Sequence, residues 1–235
     1  MSGTEVHHQH RSVTGGSARA AVFGISDGLV SNVSLILGFA GGGVDASIVR
    51  LAGVAGAIAG GISMAAGEWI SVSAQNELIE RELEIERREI AHNTTAETAE
   101  LADMYRADGM SPDDATRAAR DVMRHPDVAL VVHARAELGV DPDRLASPWR
   151  AAAFSIVAFV IGALLPVIPW LFPTSGTAPT VASMAIGVVA AAFVGAAIGR
   201  LASRSIVRSA LRQMAIVVVA CAVTFAIGTL VGVSV

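Results

Sequence analysis

Five apolar stretches, at about residues 20–40, 48–74, 150–172, 180–201 and 211–233, govern what this chain of 235 residues can become. Each approaches or exceeds the ~20 residues that a helix needs to cross a hydrocarbon core of ~30 Å. Lipid offers a backbone amide no hydrogen-bonding partner, so such segments satisfy their N–H and C=O groups internally, as helices. An apolar share of 53% and a mean hydropathy of +0.57 are too high for an ordinary soluble domain. The expected fold is an all-α integral membrane protein: five transmembrane helices with a helical cytoplasmic insert between the second and third. Its expected parts are an N-terminal tail over 1–19, the first two spans over 20–75, the insert over 76–147 and the last three spans over 148–235. Arg11 and Arg19 before the first stretch also suit a signal peptide, but Asp27 interrupts the run and no small-residue cleavage site follows.

Charge divides the chain in the same way. All 17 basic residues are arginine; residues 76–146 hold 17 acids against 9 arginines, net −8, and the remainder 4 acids against 8 arginines, net +4. An acidic insert repels nucleic acid and attracts cations, so no nucleic-acid partner is expected. Arginines in the tail, in the insert and at Arg200, Arg204 and Arg208 put these segments on the cytoplasmic side, with the C-terminus outside. With no transit peptide evident, a prokaryotic plasma membrane is the expected location. The single cysteine, Cys221, offers neither a disulfide nor a thiolate metal site, and no GxxxxGK[ST] loop is present to bind a nucleotide phosphate.

The first proline is Pro112, so nothing interrupts a helix from about Ile48 through Ile90, roughly 60 Å at 1.5 Å per residue. Asn93-Thr94-Thr95 reads as a break and N-cap. Short helices then run to about Ala107, from Ser111-Pro112 to His125-Pro126, and from Asp127 to Gly139. On the long helix Glu82, Glu86 and Glu89 share a face, Glu97 and Glu100 form an i, i+3 pair, and His133 and Glu137 an i, i+4 pair. Oxygen donors with an imidazole suit divalent cations. Spacing alone equally admits a solvated helix whose glutamates pair with Arg81, Arg87 and Arg88, the expected state of Glu77, Glu80 and Glu84; His133 is either a ligand or a surface histidine. Glu89 and His92 make one Glu-x-x-His; a ferritin-like di-iron site needs two, which weakens the alternative of a membrane-anchored ferroxidase or ferritin-like iron-binding protein. A non-transporting scaffold explains the acids within the spans poorly. Those are Asp27 and Glu68, each costing on the order of 3 kcal/mol in lipid, with Met64 one turn before Glu68. Asp27 also fits a helix cap, and Met64 core filling. Gly24/Gly28, Gly56/Gly60 and Gly195/Gly199 have the spacing of close helix crossings, within a subunit or between two. His7, His8 and His10 suit a tail with loose metal affinity at most.

FGISDGLVSNVSLILGFAGG, ISMAAGEWISVSAQNE and PVIPWLF together resemble the vacuolar iron transporter family, over nearly the whole chain. The resemblance implies a homodimer in the lipid bilayer that moves Fe2+, and often Mn2+, out of the cytosol in exchange for protons, with no permanently bound cofactor. It implies an intramembrane metal site at Asp27 and Met64; Glu68 is not needed by that minimal site and is a candidate proton carrier or metal relay. It also implies a cytoplasmic metal-binding domain using Glu86, Glu89, Glu97, Glu100 and Glu137. The chain departs from that pattern at His133-Ala134, where relatives can present a methionine pair, and the imidazole is a candidate ligand in their place.

Overall fold

The computed structural model describes residues 16–172 and 176–232, with side chains from residue 21 onward; His7, His8 and His10 lie outside the described residues. The described chain is helical: α1 (Gly16–Gly41), α2 (Ala46–His92), α3 (Thr94–Ala107), α4 (Pro112–Met123), α5 (Pro126–Glu137), α6 (Pro148–Leu164), α7 (Ala178–Leu201) and α8 (Ile206–Gly232). Five segments are long and apolar enough to cross a membrane: Ala21–Gly41, Ala46–His92, Pro142–Leu171, Ala178–Leu201 and Ile206–Gly232. The last begins earlier than its apolar run, because Ser205 caps it through the Arg208 amide and the turn from α7 needs few residues, one of them Ser203 at φ 51°. Arg208 therefore lies on α8 and not in a loop. Two compact units result, one from the described residues up to Trp69 and from Trp149 onward, the other from Ile70–Pro148.

In the first unit α1 is central. Leu29, Val33, Ile36 and Leu37 are buried against Val49, Val167, Trp170, Ala191, Val217 and Cys221. Two glycines set how closely α1 and α6 approach. A Cβ on Gly28 would lie far inside contact distance of the Phe159 carbonyl, and one on Gly162 would strike the carbonyl of Ile25. Gly24 and Gly195 likewise face neighbouring helices of the same chain, so these small-residue pairs are used within the subunit. Past Leu164 the α6 helix tightens into a 3₁₀ stretch, Leu165–Leu171, because Pro166 and Pro169 supply no N–H to continue an α-helical ladder. Trp170 Nε1 donates to Ser183 Oγ at 2.9 Å and that hydroxyl donates to the Pro166 carbonyl at 2.6 Å, fastening this stretch to α7. The rings of Trp69 and Trp149, at the two crossings between units in sequence, pack with centroids 5.8 Å apart.

In the second unit Leu83 and Ile90 of α2 pack with Leu101, Ala102, Ala119, Met123, Ala129, Leu130 and Ala134. Ser111 caps α4 by accepting from the Asp114 amide, with Pro112 in the first turn. The break between α2 and α3 falls at Asn93, but its side chain makes no cap bond. Thr94 closes the gap instead, its hydroxyl donating to the Ile90 carbonyl at 2.8 Å. The threonine does so because a chain broken at one residue leaves that carbonyl within its reach.

Gly28→Ala is expected to cost about 1–3 kcal/mol as the α1–α6 crossing is forced apart, seen as a lower melting temperature in detergent. Gly67→Ala, on the same kind of helix but with nothing within 4 Å of an added Cβ, should leave the melting temperature unchanged or raise it.

Candidate metal centres

In the helical unit of Ile70–Pro148, three carboxylates from three helices meet around one imidazole. His133 is fully buried, which overturns a surface position for it. Its Nδ1 lies 2.9 Å from Glu137 Oε1, 3.0 Å from Glu86 Oε1 and 3.8 Å from Glu97 Oε2. A ring nitrogen carries at most one hydrogen. The bond made with Glu137 therefore leaves the Glu86 oxygen, on a residue only 7% exposed, without a hydrogen-bond partner, and His133 Nε2 has none either. Buried polar atoms in that state cost about 1–3 kcal/mol each, and a cation or a proton between the carboxylates would relieve the Glu86 oxygen. Glu86, His133 and Glu137 each offer a ligand atom within 4.8 Å of the others: two carboxylates and an imidazole, a set suited to divalent transition metals.

Electrostatics follow the burial. Desolvation pushes the Glu86 carboxyl up to about 7, the Glu137 charge adds to the rise and His133 opposes it. Glu97 is raised too, by burial first and then by Glu100, with Glu89 and Glu137 contributing. Glu89 and Glu100 are themselves exposed at the rim. Glu84 is exposed and held low by hydrogen bonds from Arg87, at 2.9 Å, and Arg88, at 3.3 Å, so the solvated-face reading applies to it and not to Glu86. His92 Nδ1 donates to the Arg88 carbonyl at 2.8 Å, occupied by its own helix rather than joined to Glu89.

In the unit that holds the first two spans, a cleft of about 440 Å³ is lined by Asp27, Ser31 and Asn32 of α1, Gly56, Gly60, Ser63 and Met64 of α2, and Leu35 and Phe159. It brings Asp27 and Met64 to one space. Glu68 is half-buried and is not among its lining residues. Ser31 Oγ donates back to the Asp27 carbonyl at 2.6 Å, and Met64 packs on the small cluster of Ala57, Phe159 and Ala163. Asn32 was not singled out by sequence reasoning. The available signal was a lone amide inside an apolar run, which must find partners.

The sequence pattern of the VIT family matches residues 18–229. The chain belongs to the VIT family. Similar VIT-family relatives include vacuolar iron transporter 1 of Arabidopsis thaliana, 31% identical over 230 residues that cover 96% of this chain and 90% of that one. Vacuolar iron transporter 1 of Eucalyptus grandis is 31% identical over 223 residues, 93% and 88% of the two chains. Vacuolar iron transporter 1 of Oryza sativa subsp. japonica is 29% identical over 195 residues, 83% and 77%. Family and apolar helices agree in making this an integral membrane protein.

The raised Glu86 carboxyl has a signed consequence for this VIT-family chain. Between the ordinary carboxylate range and about 7, the folded protein holds a proton that the unfolded chain has released. Metal-free stability therefore falls as pH rises through that window, and the contribution is gone above it. Melting of metal-free protein from pH 5 to 8 should show this decline, and Glu86→Gln should flatten it. If Mn2+ binds at Glu86 in competition with that proton, it should raise the melting temperature more at pH 7.5 than at pH 5.5.

Proposed function

We propose that the chain is a proton-coupled transporter exporting Fe2+, and also Mn2+, from the cytoplasm, and that it works as a homodimer. The observation that carries this reading is the cleft that gathers Asp27 and Met64 among apolar helices. An ionisable group in a span costs on the order of 3 kcal/mol even on lenient scales, and a cation path gives it a use. The relatives named vacuolar iron transporters support iron as the cargo. In this reading Glu86, Glu89, Glu97, Glu100, Glu137 and His133 take the hydrated ion and strip part of its water, and Asp27 and Met64 receive it. Protons compete with metal for the same oxygens, so a proton gradient drives release on the far side. Glu86, held near 7, suits such exchange at neutral pH, and half-buried Glu68 is a candidate proton carrier.

Two further features support the finer parts. Asp27, Ser31 and Ser63 are exposed on the surface of a single chain, and a second copy facing them would keep that polar stripe from lipid. Arg200, Arg204, Arg208 and Arg212 cluster about the α7–α8 turn, favouring the cytoplasm for that end, for the N-terminus and for the helical insert. Export across a plasma membrane would then relieve metal excess.

Reconstituted in proteoliposomes, the full chain should take up Fe2+ only under an imposed pH gradient, with Asp27→Ala lowering the initial rate at least about tenfold. Uptake indifferent to both the gradient and Asp27→Ala would sink the proposal. His133→Ala should weaken Mn2+ binding to the detergent-solubilised chain by about tenfold, read by titration at pH 7.5.

A further inference from the structure

The cleft holds a donor beyond Asp27 and Met64. Asn32, one turn along α1 from Gly28, is 2% exposed. Its Nδ2 donates to the Gly53 carbonyl of α2 at 3.0 Å and to the Ala163 carbonyl of α6 at 2.6 Å. The second acceptor is available because in the 3₁₀ register past α6 the N–H due to Ala163 would come from Pro166, which has none. These two bonds fix which way the amide faces. Turned over, it would set an oxygen against two carbonyl oxygens with no hydrogen between them. The amide oxygen is therefore held on the other side, where it has no hydrogen-bond partner.

The oxygen is buried against Gly56 of α2, with Leu35 beside it. A Cβ on Gly56 would sit 2.7 Å from Asn32 Oδ1, and Gly56 lines the cleft together with Asp27 and Met64. Gly60, one turn further along the same face of α2, is kept bare by Phe159, whose ring an added Cβ would strike. A buried, oriented, unpartnered oxygen on a residue that lines one cleft with Asp27 and Met64 has the chemistry of a cation donor. A role confined to cross-linking three helices would use the nitrogen and leave the oxygen's placement without purpose.

We infer that Asn32 Oδ1 is a ligand for the transported divalent cation in this cleft, directly or through one bound water, and that it biases the site toward oxygen-seeking ions. The inference rests on the reading of the cleft as the transport path. A neutral carbonyl oxygen adds a hard donor without adding charge, so it favours Mn2+ and Fe2+ over ions that the Met64 thioether alone would hold.

The test compares initial uptake of Mn2+ and of the softer Cd2+ into proteoliposomes, full chain, same pH gradient, for the parent, Asn32→Leu and Gly56→Ala. Asn32→Leu removes the amide. Gly56→Ala keeps the amide but sets a methyl 2.7 Å from both Asn32 Oδ1 and Leu35 Cδ2, so that one of them must give way. In each, KM for Mn2+ should rise about tenfold while KM for Cd2+ moves much less, so the Mn2+ to Cd2+ preference falls. Melting in detergent identifies the variants that fold like the parent. A preference unchanged in such a variant, or equal loss for both ions, overturns the inference and leaves Asn32 a helix cross-link. If the parent carries neither ion, or Asp27→Ala carries both as well as the parent, the transport reading itself fails. Uptake that needs Asp27 but shows no change of preference in the Asn32 and Gly56 variants rejects only the role given to Asn32.

Discussion

Helices α1 and α6 meet backbone to backbone at Gly28 and Gly162, and the polar architecture of the membrane unit follows from that contact. Any side chain at either position would part the helices. Asn32, four residues after Gly28, then reaches the Ala163 carbonyl, beside Gly162, at 2.6 Å. Without the close crossing the amide would have no acceptor on α6, and its oxygen would not be held toward α2. Asp27, the residue before Gly28, is carried to the cleft by the same turn of helix. The contact thus converts small residues, which by themselves bind nothing, into the frame of a donor set.

The other unit solves a different problem. Its acids are placed around a buried imidazole, and their mutual repulsion is offset only in part. One ring hydrogen cannot serve both Glu86 and Glu137, so an oxygen of Glu86 stays unsatisfied. Replacing the ring by an apolar residue would remove the one neighbour that opposes the rise of Glu86 and Glu97, and Glu86, His133 and Glu137 each offer a ligand atom to a cation. The unit therefore folds around a buried carboxylate oxygen that none of its own donors satisfies. Its apolar core of Leu83, Ile90, Leu101 and Leu130 has to carry that cost.

The helical architecture was legible because it rests on local properties. Apolar runs of sufficient length, the absence of proline before Pro112 and the Ser111-Pro112 start are each readable without knowing what packs where. The continuous helix was expected over Ile48–Ile90 and spans Ala46–His92. The sites were legible only as lists. Spacing put Glu86 and Glu89 on the same side of α2, yet one is buried and the other exposed, since α5 covers only part of that face. His133 was ambiguous for the same reason: an i, i+4 His–Glu pair looks alike on an exposed face and on one turned to a neighbour. Asn32 escaped because its meaning depends on Pro166 and Gly56, distant in sequence, one freeing an acceptor and the other lying against the oxygen.

If both residue sets serve the proposed transport, their unlike chemistry would constrain the cargo. The cluster of Glu86, Glu97, Glu137 and His133 offers oxygen and imidazole nitrogen only. The cleft adds the Met64 thioether to Asp27. Magnesium and calcium accept the first set's oxygens but gain little from sulfur, and they hold their water against a neutral thioether. A cuprous ion gains from sulfur but little from carboxylates. In the proposed reading an ion bound at both would be borderline, content with oxygen, nitrogen and sulfur in turn, and Fe2+ meets that condition better than the harder Mn2+. On that reading, two sites of unlike character would reject more competitors than either alone, because the ions each admits in error are of opposite kinds.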